Sequence, residues 1–439
     1  MASAGVAVAA TEHDNLRQPL RRIGRIVLAA CALPGVMLPA AHAEDAPERG
    51  VFEVKLSGYK EYQDSVKSGG TASGNTTQAA SGSGNHVTVS AASRGGSTNT
   101  GSTSGTSSNT VSGASGGVNR ISVLSPSVYA LLPLGRRWSA EGSATLDEVS
   151  GASPSYYTDT AGFVHMKDRR RAGDLKLTRY FDRQVFSLGA SSSSESDYWS
   201  KALSSEARFS TDDQNTTVNL GVGLTRDRIS SNNGAVTNAN KRTNEYQIGV
   251  TQAVNADDLV QLNYTRSLSS GYLSDPYKSY DRRPELRNAH ILQLRWNHWL
   301  GGAALKTGYR YYQDTYGIRA HTVDLALAVP FADGLTFTPA VRYYTQSAAA
   351  FYVNPVTSSP TYPAPADQSG YYSLDQRVSA FGAGTVGGKI EWPIGSEWTL
   401  DTKLDYYRQA SSLRLLGQGS PGLAPLNAFI WQIGLKRPF

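Results

Sequence analysis

Cysteine is almost missing from this 439-residue chain: Cys31 is the only one. A single thiol excludes an internal disulfide, a thiolate metal cage and a Cys-attached haem. Charge is also scarce, at 18% of residues, against roughly a quarter in ordinary soluble domains. Apolar residues do not fill the gap, because mean hydropathy is still negative. Long apolar runs are lacking too. The longest, Ile26 to Ala40, is about 15 residues and contains Pro34 and Pro39, short of the roughly 20 a spanning helix needs. There is no Gly-x-Ser-x-Gly elbow, no D-x-D-x-D-G calcium loop and no basic-aromatic nucleic-acid motif. The sequence therefore predicts neither helical anchor, nor enzyme, nor cofactor site, nor nucleic-acid partner.

What fills the chain instead is Gly, Ser, Thr, Asn and Tyr, a composition with little conventional core. A membrane barrel needs none, since its apolar face meets lipid and its lumen is wet. The N-terminus reads as an export leader, residues 1–43. Arg21, Arg22 and Arg25 precede the apolar run, and Ala41-His42-Ala43 offers an A-x-A cleavage site before Glu44. The stretch Leu28-Ala29-Ala30-Cys31 also reads as a lipoprotein box, but the apolar run continues beyond it. The leader holds four arginines against Glu12 and Asp14, which leaves +4 of the chain's +6. That charge is too mild to argue for nucleic acid.

Residues 44–50 form a short periplasmic segment in this reading, and residues 51–439 the barrel. Residues 65–118 are Ser/Gly/Thr/Asn-rich, exemplified by Ser81-Gly82-Ser83-Gly84-Asn85. Such a stretch cannot bury enough apolar surface to offset the entropy of ordering, and reads as one long flexible loop. The rest alternates with period two. Val218, Leu220, Val222 and Leu224 interleave with Asn219, Gly221 and Gly223; Trp398, Leu400, Leu404 and Tyr406 interleave with Asp401, Lys403 and Asp405.

Counting such stretches predicts an all-β, transmembrane, antiparallel up-and-down barrel of about 16 strands. Every second connection is a tight turn, such as Phe181-Asp182-Arg183 or Asn255-Ala256-Asp257. Most of the others are long, at about 63–118, 151–169, 228–242, 270–287, 348–373 and 409–425. Short periplasmic turns and long extracellular loops are the asymmetry of outer-membrane barrels. The expected location is the Gram-negative outer membrane, with outer-membrane lipid and lipopolysaccharide as surroundings.

Aromatics cluster at strand ends, which predicts two girdles. Tyr309, Tyr311, Tyr312, Tyr316, Tyr343, Tyr344, Tyr352, Tyr406 and Tyr407 would lie at the outer interface. Trp138, Phe181, Trp296, Trp299, Trp392 and Trp398 would lie at the inner one. In the last strand Phe429, Trp431, Ile433 and Leu435 alternate outward and the sequence stops at Phe439, the pattern that barrel-assembly machinery recognises. Arg437 and Pro438 depart from it and are expected just beyond the paired region.

The opposite parity should face the lumen. Candidate pore-lining residues are Glu141, Asp174, Lys176, Arg208, Arg295, Lys306, Arg310, Arg342, Asp401, Lys403 and Asp405. Two readings stand: a channel for small solutes or ions, or a salt-bridged wall with no transport role. At the outer rim, Asp147, Glu148, Asp168, Glu195, Asp197, Asp275, Asp281 and Asp314 offer hard oxygen ligands or plain solvated charge. Lys167, Arg169, Arg170, Arg171, Lys241, Arg242, Lys278, Arg282 and Arg283 would meet lipopolysaccharide phosphates or solvent.

Several phrases occur together: Asp147-Glu148-Val149-Ser150-Gly151-Ala152-Ser153, Met166-Lys167-Asp168-Arg169-Arg170, Ser194-Glu195-Ser196-Asp197-Tyr198, Gly271-Tyr272-Leu273-Ser274-Asp275-Pro276, Arg310-Tyr311-Tyr312-Gln313-Asp314 and Arg342-Tyr343-Tyr344-Thr345-Gln346. With them the chain resembles an uncharacterised proteobacterial outer-membrane family known only as a domain of unknown function. The resemblance covers roughly residues 51–439 without the Ser/Gly-rich loop, and brings no catalytic residues. Family members are encoded near a periplasmic flavin transferase and a thioredoxin-like protein. This implies a periplasmic partner and a link to envelope redox chemistry, with the barrel as scaffold.

The leader reading predicts that protein isolated from membranes begins at Glu44. Intact-mass measurement checks this, and a mass retaining residues 1–43 would refute it.

Overall fold

The computed structural model describes residues 46–63, 118–154, 163–278, 280–354 and 369–439. The leader, its cleavage site and nearly all of the Ser/Gly-rich stretch lie outside them. The described chain forms sixteen strands: β1 Val51–Gln63, β2 Val118–Pro133, β3 Trp138–Pro154, β4 Phe163–Tyr180, β5 Gln184–Ser194, β6 Tyr198–Ser210, β7 Thr216–Ile229, β8 Ala239–Ala253, β9 Asp258–Gly271, β10 Leu286–Trp299, β11 Ala304–Asp314, β12 Arg319–Pro330, β13 Thr336–Gln346, β14 Phe381–Ile394, β15 Trp398–Ala410 and β16 Leu426–Pro438. Each is antiparallel to its sequence neighbours, and β1 pairs with β16 to close the ring.

The alternation in sequence becomes two faces. Apart from Trp299 at the end of β10, the large exposed apolar side chains of each strand share one parity, as with Phe52, Val54 and Leu56 on β1 or Leu220, Val222 and Leu224 on β7. The other parity carries buried polar groups, such as Glu53, Lys55 and Ser57, or Asn219, Thr225 and Asp227. An apolar outside and a polar inside is the arrangement of a barrel in lipid.

Tight turns at the inner end follow the expected pattern. At the outer end two connections are also tight, Glu195 to Asp197 and Thr315 to Ile318, where the first lay among unassigned linkers. Two strand starts differ from the sequence reading. β4 begins at Phe163 rather than near residue 170, so its basic run lies within the ladder. β14 begins at Phe381 rather than near 374, because residues 374–380 fold inward around a 3-10 turn at Gln376–Val378.

The closing seam is continuous from Val51↔Pro438 to Gln63↔Leu426. Arg437 and Pro438 are therefore inside the paired region, which corrects the expectation that they lie beyond it. Arg437 faces outward, pairs with Glu397 at 2.5 Å and stacks on Trp398. Gly50 and Phe439 exchange both backbone hydrogen bonds at 2.9 Å. The Phe439 ring covers Gly50 and the Trp431 indole covers Gly58, so a Cβ at either glycine would collide with the ring above it. Covering a strand glycine with an aromatic ring restores the packing that the missing side chain forfeits.

Gly58→Val should push Trp431 off the seam and cost about 1–3 kcal/mol. The checks are a lower transition temperature between the compact and extended gel bands and an altered Trp emission. Unchanged melting would contradict the packing role.

Candidate functional site: the lumen and its outer cap

All eleven candidate residues stand on the inward register. Glu141 and Lys176 pair across β3 and β4 at 2.7 Å, and Asp174 accepts a hydrogen bond from Ser143. Arg208 lies 3.9 Å from Glu206 on the same strand. Arg295 donates to Gln261 at 3.5 Å, and Arg342 pairs with Asp324 across β12 and β13. Lys306 and Arg310 face inward from β11, opposite Ala326 and Thr322.

On β14 and β15, like charges oppose each other: Lys389↔Lys403 and Glu391↔Asp401. Like charges directly opposite are unfavourable, and here each lysine has an acid two residues along its own strand. Lys389–Glu391 is 3.2 Å and Lys403–Asp405 is 3.0 Å. Asp401 also accepts from Gln432 at 2.8 Å.

Toward the outer end the lumen changes character. An apolar cluster joins inward residues of β1–β3 (Tyr59, Ile121, Val123, Val149) to those of β10–β16 (Tyr312, Tyr344, Phe381, Tyr407). Leu273, Ala349 and Val378, from the β9–β10 and β13–β14 loops, belong to the same cluster. Four tyrosines in it sit in one local pattern. Each donates its phenol hydrogen to an acceptor two residues on: Tyr59 to Glu61, Tyr312 to Asp314, Tyr344 to Gln346 and Tyr407 to Gln409, at 2.6–2.8 Å. A buried phenol needs such a partner.

Five of the nine tyrosines proposed for the outer girdle are thus misplaced. Tyr312, Tyr316, Tyr344 and Tyr407 are buried in the cluster, and Tyr352 packs against it. Tyr309, Tyr311, Tyr343 and Tyr406 do face outward. The opposite wall differs. At the same level β5–β7 present Ser191, Ser193, Ala202, Ser204, Gly221, Gly223 and Thr225 inward.

The two loops meet in a buried ionic cluster. Arg377 pairs with Asp275 at 2.5 Å and with Asp375, and Arg283 pairs with Asp375 at 2.7 Å and with Asp281 at 2.9 Å. The Arg283, Asp281 and Asp375 side chains are wholly buried. Lys278 adds a third positive charge that acts on Asp375. Burial opposes ionisation of Asp375, but Arg377 and Arg283 outweigh it and hold its carboxyl well below the usual range. Asp281 goes the other way: burial raises its pKa, and Asp375 and Asp275 add to the rise against Arg283. Tyr272, beside Asp275 and Asp281, is pushed up to about 12 by burial and those charges.

Other outer loops join this cap. Tyr277 donates to Asp197 at 2.5 Å and accepts from the Asn232 backbone at 2.8 Å. Ala380 and Ser420 are doubly hydrogen-bonded at 2.7 and 2.9 Å. Asp168, Glu195 and Asp197 bring carboxylate oxygens within 4.8 Å of one another, so three of the rim acids converge. The remaining rim acids have basic partners: Asp147 with Arg170, Glu148 with Arg169 and Asp314 with Arg287. Asp375 and Arg377 were absent from the sequence reading because they fell within an assumed strand.

Removing Arg377 leaves the buried Asp275 without its arginine and Asp375 with Arg283 alone, at about 3–5 kcal/mol for the loss of a buried partner. Arg377→Ala should therefore expose the β13–β14 loop to protease while the barrel stays folded. Acid acts differently. The stabilisation from Asp375 is complete above its unfolded pKa of about 3.9 and is lost only as pH falls through its depressed folded value. Asp281, raised, takes up its proton first, and that removes a cost rather than a bond. Loop protection should hold from pH 7 to 5; early loss would contradict this charge assignment.

No curated protein matches the sequence. Among solved structures the chain is similar to a bacterial polysaccharide outer membrane secretin (TM-score 0.44, 9% identity, 88% of this chain and 98% of that one). It is similar to a Pseudomonas aeruginosa FadL homologue (0.38, 10%, 89% and 90%) and to a BenF-like porin from Pseudomonas fluorescens Pf-5 (0.40, 8%, 89% and 99%). The family model described as "Protein of unknown function (DUF3570)" matches residues 23–240 and 234–430, and the chain belongs to that family.

Proposed function

We propose that this barrel is a porin-like outer-membrane channel for small polar solutes or ions, narrowed at its outer mouth by the loop cap. The observation that carries the reading is the inner half of the lumen, where Glu141, Lys176, Arg208, Arg295, Arg342, Asp401, Lys403 and Asp405 face inward in both signs. Sixteen strands leave room for an aqueous path unless side chains or loops fill it. Both signs on one wall favour small ions and zwitterions over apolar solutes, which would lose no hydration cost there. In this reading the cap sets the conductance and the charged belt sets selectivity.

Planar-bilayer recording of the refolded full-length protein tests it. The expected result is stepwise conductance that rises in Arg377→Ala, with Arg342→Ala shifting selectivity toward cations by leaving Asp324 without its arginine. A folded sample, compact on an unheated gel, that never conducts even as Arg377→Ala would sink the channel reading and leave the braced scaffold.

A further inference from the structure

The outward face of one wall carries a row of cations that no acid among the described residues pairs with. Lys201 on β6 is directly opposite Arg226 on β7, and Arg226 is directly opposite Arg242 on β8. All three side chains are exposed and share the parity of the exposed apolar residues Leu203, Leu224 and Tyr246. One step further out, Arg228 on β7 and Arg171 on β4 stand on the same outward parity, flanking Trp199. These positions lie just outside the apolar band and just inside the outer loops, the level of the outer-leaflet headgroups.

Like charges opposed across a ladder are destabilising. Inside the barrel the chain corrects this with acids two residues along. Outside it does not: the corresponding neighbours are Trp199, Leu203, Leu224, Arg228, Asn240 and Asn244. Among the described residues, β4–β8 carry no acid on the outward parity, while Asp174, Glu206, Asp227 and Glu245 on these strands all point inward. The contacts of the row with described residues are neutral, among them a hydrogen bond from Arg226 to the Thr225 carbonyl at 2.8 Å. The Lys201 ammonium sits 4.3 Å over the Trp199 ring, and Arg226 donates to Asn244 at 3.1 Å. Both hold the cation in place without cancelling its charge. On β11–β15 the outward positions toward the outer end include Tyr309, Tyr311, Tyr343 and Tyr406, and the cations there, Arg319 and Arg408, face Gln313, Gly384 and Asn427 rather than another cation.

We propose that this flank binds the phosphate groups of a phosphorylated glycolipid of the outer leaflet, with Lys201, Arg226 and Arg242 as the primary contacts and Arg228 and Arg171 above them. The chemistry required is an anion held at headgroup height by acyl chains lying on Leu203, Leu224 and Tyr246. A lipid-borne phosphate meets both requirements, and a free phosphate only the first. The inference depends on the barrel and its register, not on conduction.

The test uses the folded full-length protein in detergent, with bis-phosphorylated lipid A and its dephosphorylated form as probes. Wild-type protein should retain the bis-phosphorylated lipid through gel filtration and release the dephosphorylated one. The triple variant Lys201→Gln, Arg226→Gln, Arg242→Gln should bind on the order of 100-fold more weakly, at about one surface cation's worth per residue, with an unchanged heat-shifted gel band. Lys60→Gln with Arg408→Gln, on the other flank, should bind as wild type. Equal retention of both lipids, equal binding by the triple variant, or full displacement by millimolar inorganic phosphate would overturn the proposal.

Discussion

Ring closure between β1 and β16 is the constraint on which the rest depends. In hydrocarbon an unpaired backbone N–H or C=O costs several kcal/mol, so a membrane sheet must leave no edge. Thirteen residue pairs from Val51↔Pro438 to Gln63↔Leu426 meet that requirement. Closure then fixes which side chains go where. One parity must face lipid and the other the lumen, and a one-residue slip would exchange them on a whole strand. Pro438, which donates no backbone hydrogen bond, is tolerated because Phe439 makes the hydrogen bonds to Gly50 on the β1 side and the β15 ladder has already ended at Lys436.

Inside that ring the chain solves two different burial problems. Near the inner end, charged groups of both signs compensate one another across or along strands. Near the outer end, space is filled by tyrosines, aliphatic side chains and two loops. Tyr59, Tyr312, Tyr344 and Tyr407 are each satisfied by an acceptor on their own strand, and Tyr316 by the Pro284 carbonyl, so the packing needs no water at those hydroxyls. The arginine–aspartate cluster lets the loops bury charge in a place where either partner alone would be costly. Cap and wall are therefore interlocked rather than layered.

Much of this was legible in sequence, and the failures have identifiable causes. Strand number and most strand ends followed from period-two alternation and from turn residues. β4 was begun too late because Lys167 to Arg171 reads as a solvated run, yet alternation already sends Asp168 and Arg170 in and the others out. The tyrosine pairs 311–312, 343–344 and 406–407 were all assigned outward, although adjacent strand residues must face opposite ways; one of each pair had to be buried. Residues 374–380 were a different matter. Their apolar pattern fits a strand, and only the packing of Val378 and Arg377 into the mouth makes them a plug. That information is tertiary, as is the convergence of Asp275, Asp281 and Asp375 from sequence-distant loops.

The apolar cluster stands on one flank, from β10 through the seam to β3. On the other, β5–β8 present serine, glycine and threonine together with the buried Asp227–Lys241 pair. A lumen lined in this way has two unlike walls. A solute in the proposed channel would run as along a gutter, wetted by hydroxyls on one side and bounded by aromatic rings on the other.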